Sequence, residues 1–357
     1  MSSQIGNKIK VQIFGQSHSK AIGVVIDGLP AGIRLDMEKI NSFMQKRAPG
    51  KNDYSTKRKE TDNPQILSGV FDGTTVGAPL CAIIENTDAR PADYSKIKDM
   101  PRPGHADFSA FAKFGEYHDI RGGGFFSGRM TAPLCFAGAV CMQLLEEKGI
   151  TVGAHIFSIG NEKDLPFDSV DIDANDLKNI SQKPFAVIDD SAGERMKIDI
   201  KNVADEGDSL GGVIECAIVG ISAGVGEPMF DGIENNLSKA VFGIPAIKGI
   251  EFGAGFASTF MKGSQNNDEF YFDKKSIKTK TNNNGGILGG ISTGMPIVFR
   301  VAVKPTPSIG KEQNTISFSK KCDTKLVITG RHDPCIVPRA VPCIEAVAAI
   351  VIADYLA

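Results

Sequence analysis

Apolar residues recur along this chain with two periods. Ile22 to Asp27 is a run of Ile and Val closed by Gly28 and reads as a strand. Leu35 to Lys46 sets Ile40, Phe43 and Met44 on one face and reads as an amphipathic helix. Ala137 to Lys148 and Ile344 to Leu356 also read as helices. The second is almost wholly apolar, which predicts burial on all sides. Short strands broken by Gly, with helices between them, predict an α+β fold.

The pattern echoes itself. Gly28-Leu-Pro-Ala-Gly32 recurs as Gly220-Ile-Ser-Ala-Gly224, and Ile66-Leu-Ser-Gly-Val70 as Ile287-Leu-Gly-Gly-Ile291. Gly77-Ala-Pro79 recurs as Gly294-Met-Pro296. The pair Arg121 and Arg129 recurs as Arg331 and Arg339, and an apolar helix follows each pair. The echoes keep the same order in both halves. One domain spanning 1–357 is therefore expected, built from related βα halves at about 8–150 and 206–357. An irregular, charged connection is expected at about 151–205. The polar, Asn-rich stretch Lys262 to Gly285 reads as a loop or flap.

Composition narrows the class. The net charge of −2 gives no global pull toward nucleic acid or an anionic membrane, so neither is an expected partner. The first residues carry no secretory core, and the apolar stretches fall short of the ~20 residues of a membrane span. A cytoplasmic location is expected. Seven cysteines without a CxxC predict reduced, mostly buried thiols, and the five histidines have no metal-ligand spacing.

Four segments and one basic stretch could carry chemistry. His18, in Gly15-Gln16-Ser17-His18-Ser19, ends a strand-like run, and His105 follows the rigid turn of Arg102-Pro-Gly-His. Imidazole titrates near neutrality and can hand a proton to a leaving oxygen, although either ring could equally be structural. Arg121-Gly-Gly-Gly-Phe-Phe-Ser-Gly-Arg129 lies before a helix and suits an anion, or is a plain flexible loop. Its spacing is neither a Walker loop nor a GxGxxG fingerprint. Gly330-Arg-His-Asp-Pro334 offers an Arg–Asp pair that is structural or functional. Lys46, Arg47, Lys51, Lys57, Arg58 and Lys59 crowd one basic stretch.

Together these segments resemble chorismate synthases. Gly15 to Pro30, Gly124 to Val140 and Arg331 to Val347 carry the resemblance most strongly. Arg102 to Asp107, Gly207 to Ser209, Gly226 to Asp231, Gly263 to Asp268, Gly285 to Gly294 and Lys304 to Thr306 keep the family's order. The match runs from about residue 6 to the C-terminus. It implies a homotetramer of βαβ sandwiches around a helical core. It also implies reduced FMN and an anti-1,4-elimination of phosphate from 5-enolpyruvylshikimate 3-phosphate, with no net redox change. NADPH would enter solely as a source of reducing equivalents.

On the same resemblance His18 would assist phosphate departure, His105 would steady the reduced flavin, and Asp333 would manage a flavin proton. The two histidine roles are exchangeable. Ser17, Arg47, Ser127, Arg129 and Arg331 would bind substrate. Phe126, Ser127, Ala246, Gly289, Lys304, Pro305, Thr306, Pro307, Ser308 and Arg331 would contact the flavin.

The chain departs from the family pattern at Gln16, Ser19, Asp53, Phe125 and Met130, where an acid, a glycine, a base, Arg or His, and a Glu are common. Two other readings compete: a flavin oxidoreductase acting on a different substrate, and a non-catalytic binding scaffold.

Overall fold

The computed structural model describes residues 3–50, 60–87, 98–274, 276–328 and 333–357. In the first half, β1 (Gln4–Ile5), β2 (Lys10–Gly15) and β3 (Ala21–Asp27) lead into helix α1 (Met37–Arg47). Strands β4 (Gln65–Ser68), β5 (Val70–Phe71), β6 (Thr74–Thr75) and β7 (Leu80–Glu85) follow, then α2 (Asp107–Phe114) and α3 (Thr131–Glu147). An antiparallel sheet runs β1-β2-β3-β7-β4. Asp36 starts α1 by accepting from the N–H groups of Glu38 and Lys39, both at 3.0 Å.

The second half opens with β8 (Thr151–Ile159), β9 (Glu162–Lys163), α4 (Ala174–Gln182) and α5 (Asp190–Asp205). It continues with β10 (Gly212–Val219), α6 (Ile233–Val241), β11 (Ile247–Phe252), α7 (Gly263–Asn266) and the hairpin β12 (Phe270–Asp273) and β13 (Ser276–Thr279). Next come β14 (Ile287–Leu288), β15 (Ile291–Ser292), β16 (Ile297–Val303), the hairpin β17 (Gln313–Ser317) and β18 (Cys322–Leu326), and α8 (Val337–Leu356). A second antiparallel sheet runs β11-β16-β10-β8-β9.

The fold is α+β. Helices α3 and α8 pack together between the sheets, α3 on β3 and β7 and α8 on β8 and β10. Ile22, Val24 and Ile26 of β3 and Ile214, Cys216 and Ile218 of β10 are buried in that one core. Both central helices are apolar all round because both are enclosed. Gly138 lets them approach: a Cβ there would lie 2.3 Å from Cβ of Ala346.

Three expectations change. The stretch 151–205 is not irregular: it supplies the interior strand β8, and α4 covers the outer face through Leu177 and Ile180. Its charges lie on the solvent side of α4 and α5, which hid the helices. The stretch 262–285 holds α7 and the β12–β13 hairpin. Helices α3 and α8 begin six and seven residues before the expected Ala137 and Ile344, because prolines near their starts, Pro133, Pro338 and Pro342, hide the helical pattern. Pro338 fits the first turn of α8, where no donor is required.

The halves share one hydrogen-bonded hook. After β3, the Gly32 N–H donates to Thr75 O and the Ile33 N–H to Thr75 Oγ1, while Thr75 Oγ1 donates to Pro30 O. After β10, Gly224, Val225, Ser292 and Ser222 make the same bonds in the same roles.

Candidate active site

A cavity of about 810 Å³ opens where the N-terminal ends of α3 and α8 meet. Both helices point their positive ends at it, which favours anions. Its wall draws on both halves: the end of α1, the 104–106 turn, the Gly-rich segment 122–131, the loop 242–248, the 304–308 segment after β16, and the start of α8.

Guanidinium groups line one side. Arg47 and Arg129 are nearly fully buried and share the carboxylate of Asp62, one oxygen each. Arg47 Nε also donates to Thr131 Oγ1 at 3.1 Å, and Arg129 Nε lies 2.7 Å from a Glu60 oxygen. Burial opposes the Arg47 charge, but Asp62 outweighs it and holds the group above its ordinary value. Burial, reinforced by Arg47, pulls Arg129 below its ordinary value. Burial also works against the Asp62 carboxylate, yet the two arginines keep its pKa low. Asp62 takes a left-handed backbone (φ 51°), a conformation carboxylate residues tolerate at modest cost. Arg339 adds a third guanidinium, bonded to Asp333 at 2.6 Å and to the Arg47 carbonyl at 3.0 Å.

His105 lines the same cavity. Its Nδ1 is 2.7 Å from Asp107 Oδ1, and Asp107 also takes both prongs of Arg102 at 2.7 and 2.8 Å. Asp107 is costly to bury, but Arg102 and His105 hold its pKa far below the usual carboxylate range. It is therefore an acceptor, Nδ1 carries a proton, and Nε2 is the nitrogen left for exchange. Arg102 also reaches Ser308 Oγ at 3.4 Å and Lys304 Nζ donates to Gly104 O, tying this turn to the 304–308 segment.

His18 sits differently. Ser17 Oγ donates to Arg121 O at 2.9 Å, so it accepts from His18 Nδ1 at 2.8 Å. Both residues lie behind Gly122, where an added Cβ would come within 2.3 Å of the ring. Gly122 lines the cavity, while His18 and Ser17 back it.

Of the residues singled out from sequence, His105, Asp333, Arg47, Ser127, Arg129, Phe126, Ala246, Lys304, Thr306, Pro307 and Ser308 line this one cavity. Ala246 holds a positive φ of 73° and accepts from the Lys304 N–H at 3.0 Å. Two do not line it. Pro305 packs on Gly211, and Gly289 sits in the β14–β15 turn, whose next residue meets Gly232. Arg331 lies outside the described residues, as do Asp53 and the bases from Lys51 to Lys59.

Sequence reasoning passed over Glu60, Asp62, Asp107, Thr131, Arg339 and Cys343. Only Arg339 left a signal, in the echo of the arginine pairs.

The chain was compared with known proteins. A family model described as chorismate synthase matches residues 9–357. A chorismate synthase of Dehalococcoides mccartyi is 46% identical over 354 residues, covering 99% of this chain and 96% of that protein. One from Methanocella arvoryzae is 46% identical, covering 98% and 93%, and one from Lancefieldella parvula is 43% identical, covering 100% and 96%. A solved chorismate synthase structure superposes with a TM-score of 0.76 at 30% identity, over 98% of this chain and 92% of that one.

Proposed function

The chain belongs to the chorismate synthase family of lyases, and we propose that it converts 5-enolpyruvylshikimate 3-phosphate to chorismate by anti-1,4-elimination of phosphate. One observation carries this reading. Arg47, Arg129 and Arg339 converge with His105 on a single cavity whose other surfaces are Phe125, Phe126, Phe242 and Pro245. A substrate with two carboxylates and a phosphate needs that cationic side, where guanidinium forks match planar carboxylates and phosphate oxygens.

The family implies a flavin, and the cavity suits reduced FMN. Its volume lies toward the upper end of ordinary ligand sites, its apolar side is aromatic, and its cationic side favours a reduced, anionic ring. Thr306 Oγ1 is buried there with no hydrogen-bond partner among the described residues. Phe126, Ser127, Ala246, Lys304, Thr306, Pro307 and Ser308 would hold the cofactor. When bound, it would lend electron density to the allylic system as phosphate leaves and recover it as hydrogen departs.

The chain's own groups do the rest. Arg47, Arg129 and Arg339 bind and orient the anions, with Asp62 keeping two of them in place. Asp107 fixes the His105 tautomer so that Nε2 exchanges a proton beside the reduced ring. His18, behind Gly122, is assigned to supplying a proton to the departing phosphate, and the Asp333 carboxylate would hold a proton on the flavin side of the cavity. The enzyme is proposed to act in the cytoplasm as a homotetramer. No described helix is long and apolar enough to cross a membrane.

An anaerobic assay with the phosphate ester, FMN and dithionite tests this. Equal release of phosphate and chorismate, absent without reduced flavin, is the expected result. NAD(P)H consumption matched to a different product would make the protein an oxidoreductase instead.

A further inference from the structure

We propose that Cys343 and Cys135 form an oxidisable dithiol on the cavity floor, a modification site for small peroxides that closes to a disulfide between α8 and α3. The two sulfurs lie 3.8 Å apart, with the Cys135 thiol donating to Cys343. Cys343 is 2% exposed and is among the residues that line the cavity, the side from which a molecule of peroxide size would approach it. Cys135 is wholly buried behind it.

The surroundings separate Cys343 from the other buried thiols, Cys135 included, whose own thiol burial pushes well above its usual value. The bond from Cys135, helped by Arg47, Thr131 and Arg339 and opposed by burial, draws the Cys343 thiol down to about 7. Burial pushes Cys141 and Cys335 up to about 12 and Cys216 well above its usual value, with no cation to offset it. Nucleophilic cysteines sit beside cations, whereas inert ones sit in apolar surroundings. Cys343, when protonated, also reaches the Arg339 carbonyl at 3.4 Å.

The chemistry balances. The Cys343 thiolate attacks one peroxide oxygen, the O–O bond breaks, and the departing oxide is protonated to water or an alcohol. The resulting sulfenic acid is attacked by the Cys135 sulfur. The S–S bond forms, the S–O bond breaks, and a water leaves with the Cys135 proton. Two thiols are oxidised by two electrons in all, and one peroxide is reduced. Closure must shorten the gap to the ~2.05 Å of a disulfide. Cys343 follows Arg339 by one helical turn and Cys135 follows Thr131 by one, so bridging tugs on the floor beneath the arginines.

The test reads sulfur, so it stands or falls independently of the reaction proposed above. The full-length protein would be titrated with hydrogen peroxide, alkylated under denaturing conditions and mapped by peptide mass spectrometry. The expected result is the loss of two of the seven alkylatable thiols, recovered as a Cys135–Cys343 linked peptide that dithiothreitol releases. In Cys135→Ser, whose hydroxyl still donates to Cys343, the link should vanish and Cys343 should be trapped by dimedone as a sulfenic acid. The proposal is overturned if Cys135 and Cys343 remain fully alkylatable after exposed Cys322 and half-buried Cys81 have been consumed. An unlabelled Cys343 in Cys135→Ser would overturn it as well.

Discussion

At the scale of single residues, the site depends on carboxylates that never need to touch a ligand. Asp107 decides which nitrogen of His105 carries a proton, because it accepts from Nδ1 while Arg102 keeps it ionised. His105→Ala should lower turnover by roughly 10² to 10⁴, the usual reach of one acid–base group, with the fold intact by circular dichroism. Asp107→Asn should also slow turnover and displace the pH–rate profile; a profile identical to wild type would remove the orienting role. Asp62 balances two buried guanidinium groups at once. Asp62→Asn leaves Arg47 and Arg129 facing each other with one charge fewer between them, and should cost about 3–5 kcal/mol in urea unfolding. Many of the cavity-lining residues were legible in the sequence, because Gly-rich and Arg–His–Asp segments are unusual as text. The sequence hid Asp62 and Asp107, since an acid among polar neighbours looks like any solvated carboxylate until its partners, 15 and 67 residues away for Asp62, are known. Gly289 and Pro305 lie off the cavity wall of the single chain, Pro305 within a segment that lines it and Gly289 in the β14–β15 turn.

At the scale of elements, stability rests on how closely α3 and α8 approach. Gly138→Ala gains about 1 kcal/mol of helix preference, but its new methyl meets Ala346 far inside van der Waals contact. The net effect should be a loss of about 1–3 kcal/mol in urea denaturation, and a stabilised variant would mean the helices slide apart at little cost. A second prediction concerns the row His155, Glu215 and Arg300, aligned across β8, β10 and β16. His155 bonds Asp164 through Nδ1 and Glu215 through Nε2, each at 3.0 Å, so both nitrogens donate and the ring is charged. Burial lowers its pKa, but the two carboxylates outweigh that and leave it raised. A raised folded value means the contribution is complete below the unfolded pKa of ~6.5 and is lost as pH climbs through the folded value. His155→Gln should therefore be least stable relative to wild type near pH 6, with the gap in melting temperature closing toward pH 9. A constant gap would mean the ring never titrates. Strand β3 and helix α1 were readable to within two residues, because apolar period and capping agree there. Helices α4 and α5 were not, since their charged outer faces mask a narrow apolar stripe. The matching hooks at Thr75 and Ser292 support the duplication read from the glycine echoes. We take the two halves as related on that basis.

At the scale of the whole molecule, one chain leaves a cluster of aromatic rings in water. Phe256 and Phe260, on the turn after β11, are 77% and 91% exposed, while Phe270 and Phe272 on the β12–β13 hairpin are 62% and 80% exposed. These two segments belong together. The Ala254 N–H donates to Asn283 O at 2.8 Å, and the Asn283 amide reaches the carbonyls of Gln265 and Asn266 at 3.2 Å. Each ring carries roughly 150–250 Å² of surface, so four of them exceed the few hundred Å² that a monomer ordinarily leaves in water. A net charge of −2 supplies little repulsion to keep such faces apart. The proposed tetramer would bury this face against further copies of the chain. Phe256→Ser combined with Phe260→Ser removes two rings from the most exposed segment without entering the core. Sedimentation velocity at micromolar concentration should then show dimers or monomers in place of tetramers. An unchanged tetramer would move the assembly surface elsewhere, for instance to exposed Leu67 on the edge strand β4 of the first sheet and exposed Phe71 of the small β5–β6 sheet.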